Sequence, residues 1–124
     1  MPVMARETVD EASHIQALWA AFEDLVGLAG RKMYALVDTT RGTYTTCTPP
    51  RDGDDADLLG LAVGVLPGGR YLRGRLAGQP PEVYVRIAPG MAELEAAGRR
   101  DATRPLIEFY RRHDAIDLWL PIEA

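Results

Sequence analysis

Cysteine, histidine and serine are scarce in this 124-residue chain. The single cysteine, Cys47, excludes an intrachain disulfide and a zinc cluster built on cysteine ligands. Two histidines, His14 and His113, are too few for a multi-histidine metal site. The single serine, Ser13, stands before an apolar helical pattern, where it is typical of a helix cap and not of a catalytic triad. We therefore expect no metal ion in this protein.

Long apolar runs and nucleotide-binding motifs are also missing. The longest apolar run has nine residues, 58–66, whereas a membrane span needs about 20. No secretion signal opens the chain, and neither GxGxxG nor GxxxxGK[ST] occurs. The formal net charge of −4 argues against broad nucleic-acid binding. The sequence predicts a cytoplasmic protein without a cofactor, a membrane partner or a nucleic-acid partner.

Composition and length indicate one globular domain over residues 1–124. Apolar residues make up 47% and charged residues 26%, as in an average globular protein, and a chain of this length can bury its own core. Apolar stripes at helical spacing predict a helix over 15–26, capped by Asp10 or Ser13 and ended by Gly27, and a second helix that opens at Pro80. Alternation and turn signals predict strands over 2–9, 32–38, 43–48, 58–66, 70–78, 105–112 and 115–122.

With the strand over 58–66 set aside, these elements follow the order strand-helix-strand-strand twice, with a break at 67–69. We therefore predict an α+β fold of two duplicated units, about 1–66 and 67–124, whose antiparallel sheet carries the two helices on one face. The acidic stretch 49–57 is interpreted as a surface loop, Pro89 is expected to kink or split the second helix, and His113-Asp114 is expected to form a tight turn.

The last two strands carry the most informative side chains. Their alternation gives the last strand, 115–122, a continuous apolar face, and it predicts that Glu108, Tyr110 and Trp119 share the face that the helices do not cover. A carboxylate among aromatic rings favours a flat, cationic ligand through stacking and cation–π attraction. An apolar surrounding would also raise the pKa of that carboxyl group. The alternative is a solvated Glu108 that pairs with Arg73 or Arg112.

Two segments of this chain resemble the second half of GyrI-like small-molecule-binding domains. LPGGRYLRGRLAGQPPEVY is similar to the family's P-G-G-x-Y strand and the helix after it, and RPLIEFYRRHDAIDLWLPI to its P-x-x-E-x-Y and acidic-aliphatic strands. In the first half, IQALWAAF at 15–22 and TYTTC at 43–47 look like the family's helix and hairpin strand. The matching positions are Pro67, Gly68, Gly69, Tyr71, Gly78, Pro105, Glu108, Tyr110, Asp117, Pro121 and Ile122.

The resemblance implies a ligand cleft on a pseudo-two-fold axis between the two units. It implies that Glu108 lines this cleft and meets lipophilic cations. The family includes the effector-binding domains of MerR- and AraC-type regulators, and this chain is too short to add a helix-turn-helix. The predicted ligand-binding residues are Glu108, Tyr110, Trp119, Tyr71, Trp19, Tyr34 and Tyr44, although each of the six aromatic residues also suits ordinary packing.

Three functions remain open at this point. The first is a small-molecule-binding protein that captures a hydrophobic, aromatic or cationic compound. The second, which the resemblance implies, is a hydrolase of cyclopropane-bearing genotoxic compounds that uses Glu108 as acid or base and Tyr71 or Tyr110 to steady charge. The third is an interaction module, such as a gyrase modulator or the partner of a regulator. A homodimer is compatible with each of them.

Overall fold

The computed structural model describes residues 1–112 and 114–123, so the predicted turn residue His113 lies outside the described residues. The β-strands of this part of the chain are β1 (Pro2–Val9), β2 (Met33–Asp38), β3 (Thr43–Thr48), β4 (Ala62–Val65), β5 (Tyr71–Ala77), β6 (Leu106–Arg112) and β7 (Ala115–Pro121). Its α-helices are α1 (Ala12–Val26), α2 (Ala56–Leu59) and α3 (Ile87–Ala97). A 3₁₀ helix over Glu82–Arg86 leads directly into α3.

The strands form one antiparallel sheet in the order β4-β1-β3-β2-β6-β7-β5. β2 and β6 pair at its centre and bring the first and second halves of the chain together. The predicted α+β class is confirmed. The duplication of two units stays a prediction.

The long helices lie on one face of this sheet. Helix α1 packs against β1 and β3, and α3 packs against β5 and β7. Under α3 the core contains Ile116, Leu118 and Leu120 of β7, and under α1 it contains Leu18 and Phe22 with strand residues below them. The apolar face predicted for β7 is therefore the face on which the helices rest.

The sheet curves away from the helices because of the short connection between its edge strands. β4 and β5 lie at opposite edges, which six strand spacings of about 4.8 Å would separate by roughly 29 Å in a flat sheet. The linker 66–70 spans about 22 Å at most, even when it is fully extended. Its first residue, Leu66, packs on Tyr34 and Ile107, on the face opposite the helices. We call this concave surface the open face.

The segment 58–66 does not form the buried strand that its apolar residues suggested. Residues 56–59 form a short helix that Asp55 caps by accepting hydrogen bonds from two backbone N–H groups. The strand that follows is an exposed edge strand, with Val63 76% exposed. An apolar run shows that a strand can be buried, but its position in the sheet decides whether it is.

The structure also tests two local predictions about the helices. Ser13 does not cap α1: the N-cap is Glu11, which makes no side-chain capping hydrogen bond, and Ser13 lies inside the helix. The predicted second helix is split into a 3₁₀ helix and α3, and Pro89 lies in the first turn of α3, where no backbone hydrogen bond is lost. The change of helix type falls just before it, at Arg86.

In the described residues, no helix combines the length and the apolar character that a membrane crossing requires.

Two leucines of this fold provide a matched test of where the core lies. Leu120 is fully buried under α3, whereas Leu58 is 86% exposed. Leu120→Ala is expected to lower the free energy of unfolding by about 2–5 kcal/mol through lost burial and a residual cavity. Leu58→Ala removes the same atoms and is expected to change it by no more than about 0.5 kcal/mol. Urea unfolding of both variants measures this, and equal losses would contradict the assigned core.

Candidate functional site

Glu108 lies at the centre of the sheet, on the face that carries the helices. Its cross-strand neighbours are Ala35 on β2 and Leu118 on β7. Leu118 lies in the core under α3, and Ala35 lies in the core under α1. Glu108 therefore projects between the two helices, and it is 6% exposed.

This geometry corrects the predicted grouping of Glu108, Tyr110 and Trp119 on an uncovered face. Trp119 pairs with Ile107, one residue from Glu108, and so it lies on the open face. Tyr110 lies on the helix side with Glu108. The error came from assigning the apolar residues of β6 to the helix side, whereas this central strand is buried on both faces and Ile107 packs on the open face.

Glu108 is held by a chain of hydrogen bonds from aromatic side chains. The Tyr110 hydroxyl donates to its Oε1 at 2.7 Å, and the Tyr44 hydroxyl donates to the same oxygen at 3.0 Å. The indole N–H of Trp19 donates to the Tyr44 hydroxyl at 3.0 Å. Within the part of the chain that the structure describes, Oε2 accepts no hydrogen bond. We call Trp19, Tyr44, Glu108 and Tyr110 the helix-side cluster.

Aromatic packing closes this cluster towards solvent. The ring centroids of Trp19 and Tyr110 are 4.9 Å apart with an interplanar angle of 66°. Tyr84, from the 3₁₀ helix, adds a second edge contact to Tyr110 at 6.4 Å. Tyr84 is not among the predicted site residues. It lies in the first turns of the predicted second helix, and an aromatic residue at that position was the signal that could have identified it.

Burial dominates the electrostatics of this cluster. It raises the pKa of Glu108 above its ordinary value of 4.5, against the opposing effect of the two tyrosine hydrogen bonds, and the nearby carboxylate of Asp10 raises it further. Burial and the adjacent Glu108 also raise the pKa values of Tyr44 and Tyr110, so both phenols stay protonated donors. In the described residues no cation contributes to the pKa of Glu108.

The remaining predicted residues form a second cluster on the open face. Tyr34 stacks on Phe109 with centroids 4.6 Å apart, and Trp119 makes edge contacts with both rings. Tyr71 packs on Trp119 at 5.6 Å. We call these four residues the open-face cluster. Phe109 is the member that the sequence did not predict as a site residue, because the alternation placed it in the core with Ile107.

The predicted catalytic pair of Glu108 and Tyr71 is not brought together. Tyr71 lies on the open face, and its hydroxyl donates to the backbone carbonyl of Pro67 at 2.8 Å. The strand register places Glu108 on the other side of the sheet. Tyr44 and Tyr110 are the tyrosines whose hydroxyl groups contact the carboxyl group of Glu108.

No group of three or more His, Cys, Asp or Glu side chains is placed to hold a metal ion within residues 1–112 and 114–123. The helix-side cluster offers one carboxyl group, two phenols and an indole. Chemically, this set can accept a cation on an apolar aromatic surface or exchange a proton with a bound molecule.

No family model and no curated protein matches this sequence. Solved structures that share its fold include the following two. An integron cassette protein from the mobile metagenome of Vibrio cholerae, VCH_CASS2, superposes with a TM-score of 0.76 and 16% identity over 99% of this chain and 90% of its own. SAV2435, solved bound to tetraphenylphosphonium, superposes with a TM-score of 0.66 and 16% identity over 100% of this chain and 89% of its own.

The raised pKa of Glu108 predicts how stability depends on pH. Because the pKa of the folded state lies above 4.5, the folded chain binds more protons than the unfolded chain between these two values. The stability that this group contributes is therefore present below 4.5 and is lost as pH rises through the folded pKa.

Glu108→Gln keeps the size and polarity of the side chain and removes its titration. We expect the free energy of unfolding of this variant, relative to the wild type, to increase as pH rises from 4.5 through the folded pKa of Glu108. Urea unfolding at a series of pH values from acidic to neutral measures the difference. The control is Glu93→Gln, at an exposed position of α3. A difference between Glu108→Gln and the wild type that does not change with pH would contradict the prediction.

Proposed function

We propose that this protein binds a lipophilic, aromatic cation at the helix-side cluster, with Glu108 as its counter-charge. The observation that carries the proposal is a carboxyl group buried at the centre of the sheet with neutral tyrosine partners. A buried carboxylate is costly unless it is paired. Strongly perturbed acids of this kind are characteristic of functional sites.

The surroundings of Glu108 suit a ligand that is large, flat and positively charged. Trp19, Tyr44 and Tyr110 supply aromatic surface for stacking and for cation–π attraction, and Tyr84 extends that surface to the exterior. The unoccupied Oε2 gives the carboxyl group one oxygen to turn towards a cation. A fold shared with SAV2435, whose solved structure holds tetraphenylphosphonium, supports this ligand class, as does the resemblance to GyrI-like domains.

The ligand needs a path to Glu108. Glu108 is 6% exposed, so a bulky ligand reaches its carboxyl group when side chains at the rim move. Trp19 and Tyr110 are half-buried, and Tyr84 is exposed. These three rings come from different elements (α1, β6 and the 3₁₀ helix), and their edge contacts are ones that a flat ligand can replace by stacking.

Tetraphenylphosphonium and tetraphenylborate form a probe pair of similar shape and opposite charge. We expect the wild type to bind the cation and to discriminate against the borate. Glu108→Gln is expected to weaken cation binding about 30-fold or more, because it removes one partner of a buried charge pair. Tryptophan fluorescence or calorimetry measures the affinities. Glu93→Gln is the matched control and should bind as the wild type does.

Unchanged affinity of Glu108→Gln for the cation, or equal binding of both probes by the wild type, would overturn the proposal. Chromatography of the bound compound separates binding from turnover. Recovery of the intact compound supports a binding protein. Product that accumulates over several turnovers with a cyclopropane-bearing compound would indicate a hydrolase instead, and Tyr44 and Tyr110 would then replace Tyr71 as the tyrosines beside the acid.

A further inference from the structure

Three arginines converge on the open face around one buried aspartate. Arg73 and Arg75 project from β5, Arg111 projects from β6, and Asp117 lies between them on β7. Together with Gly74 they line a cleft of about 160 Å³. We call it the arginine cleft. The cluster carries three positive charges against one negative charge, in a chain whose formal net charge is −4.

Asp117 holds two of these arginines without neutralising them. Its side chain is 7% exposed, and its Oδ2 accepts a hydrogen bond from Arg111 Nη2 at 2.5 Å. Arg75 Nε lies 3.4 Å from Oδ1 without forming a hydrogen bond to it, so its guanidinium donors remain available. A carboxylate fixed by burial therefore orients two guanidinium groups towards the same cleft.

Arg73 is positioned by an aromatic ring instead of an acid. Its guanidinium carbon lies 4.3 Å from the ring centroid of Trp119, and Trp119 pairs directly across the strands with Arg73. Among the described residues, Arg73 forms no ion pair. Its charge therefore remains available to a ligand, and Trp119 forms the apolar wall beside it.

We propose that the arginine cleft binds a small oxyanion group, a phosphate or a carboxylate, of a ligand other than the cation at Glu108. Guanidinium groups recognise these anions through paired N–H donors, and such charge-assisted hydrogen bonds are about twice as strong as neutral ones. A water molecule occupies about 30 Å³ of liquid, so the cleft of about 160 Å³ matches one phosphate or carboxylate with a few further atoms. The buried Oδ1 of Asp117 accepts no hydrogen bond within the described residues and suits a donor on the same ligand.

The arginine cleft lies on the opposite side of the sheet from Glu108. Its ligand chemistry is opposite as well, because the helix-side cluster presents an acid and this cleft presents guanidinium groups. The two proposals therefore fail or succeed independently, and Glu108→Gln should leave anion binding unchanged.

The test is a titration with inorganic phosphate and, separately, with benzoate, followed by ¹⁵N chemical shifts at low ionic strength. The indole N–H of Trp119, distinguished from that of Trp19 by a Trp119→Phe variant, reports binding on the open face. We expect saturable shifts of Trp119 and of the backbone amides of Arg75 and Arg111 with at least one probe. Added sodium chloride should weaken this binding.

The variant that tests the cleft is Arg75→Gln/Arg111→Gln, and its matched control is Arg41→Gln/Arg99→Gln, at exposed arginines outside the cleft. We expect the first pair to lower the affinity about tenfold or more and the second to leave it unchanged. Because loss of Arg111 removes a partner of buried Asp117, the exposed Arg73→Gln variant provides a second test with the fold preserved.

Three results would overturn the proposal. One is the absence of saturable shifts with both probes. A second is equal weakening in the cleft variant and in the control variant, which would mark general charge attraction. The third is wild-type affinity for the anion in both the Arg73→Gln variant and the cleft variant. Phosphate binding without benzoate binding, or the reverse, supports the site and assigns its ligand group.

Discussion

The burial of one carboxyl group at the centre of the sheet is the constraint on which this structure depends. Glu108 is removed from water and has tyrosine hydroxyls in place of a cation, an arrangement that costs free energy unless each hydrogen bond is well placed. The hydrogen-bond chain from Trp19 through Tyr44 to Glu108 joins α1, β3 and β6. Tyr110 adds a further hydrogen bond to Glu108, and its ring packs against the core beneath each of the two long helices. The same bonds that hold the acid therefore also join α1 to the sheet.

The two faces of the sheet carry aromatic clusters of opposite electrostatic character. On the helix side, aromatic rings surround an acid. On the open face, guanidinium groups lie over Trp119, Tyr71 and Phe109. Strand alternation produces this division directly, because neighbours such as Glu108 and Phe109 on β6 must project to opposite sides. Curvature of the sheet and the crossing linker cover Tyr34 on the open face, where it is 5% exposed.

Except at 58–66, alternation and turn residues predicted the strand positions, because period-two patterns and turn residues such as Gly42, which lies between β2 and β3, are local signals. The sides of the strands were predictable for β5, where Leu72 and Leu76 oppose the arginines. They were not predictable for β6, because a central strand is apolar on both faces and its register is set by β2 and β7. Nor could the sequence show that Val63 lies on an edge strand, or that Tyr84 reaches Tyr110, since both depend on contacts between distant segments.

The central claim is that Glu108 gives up its proton to meet a cation in the helix-side cluster. Calorimetry of tetraphenylphosphonium binding in buffers of different ionisation enthalpy measures the protons exchanged, across a pH series that starts near 4.5, the ordinary pKa of this group. The account predicts that binding releases protons at pH values below the folded pKa of Glu108, because a bound cation favours the carboxylate. This release should disappear in Glu108→Gln. Binding that releases the same number of protons from the wild type and from Glu108→Gln would contradict the account.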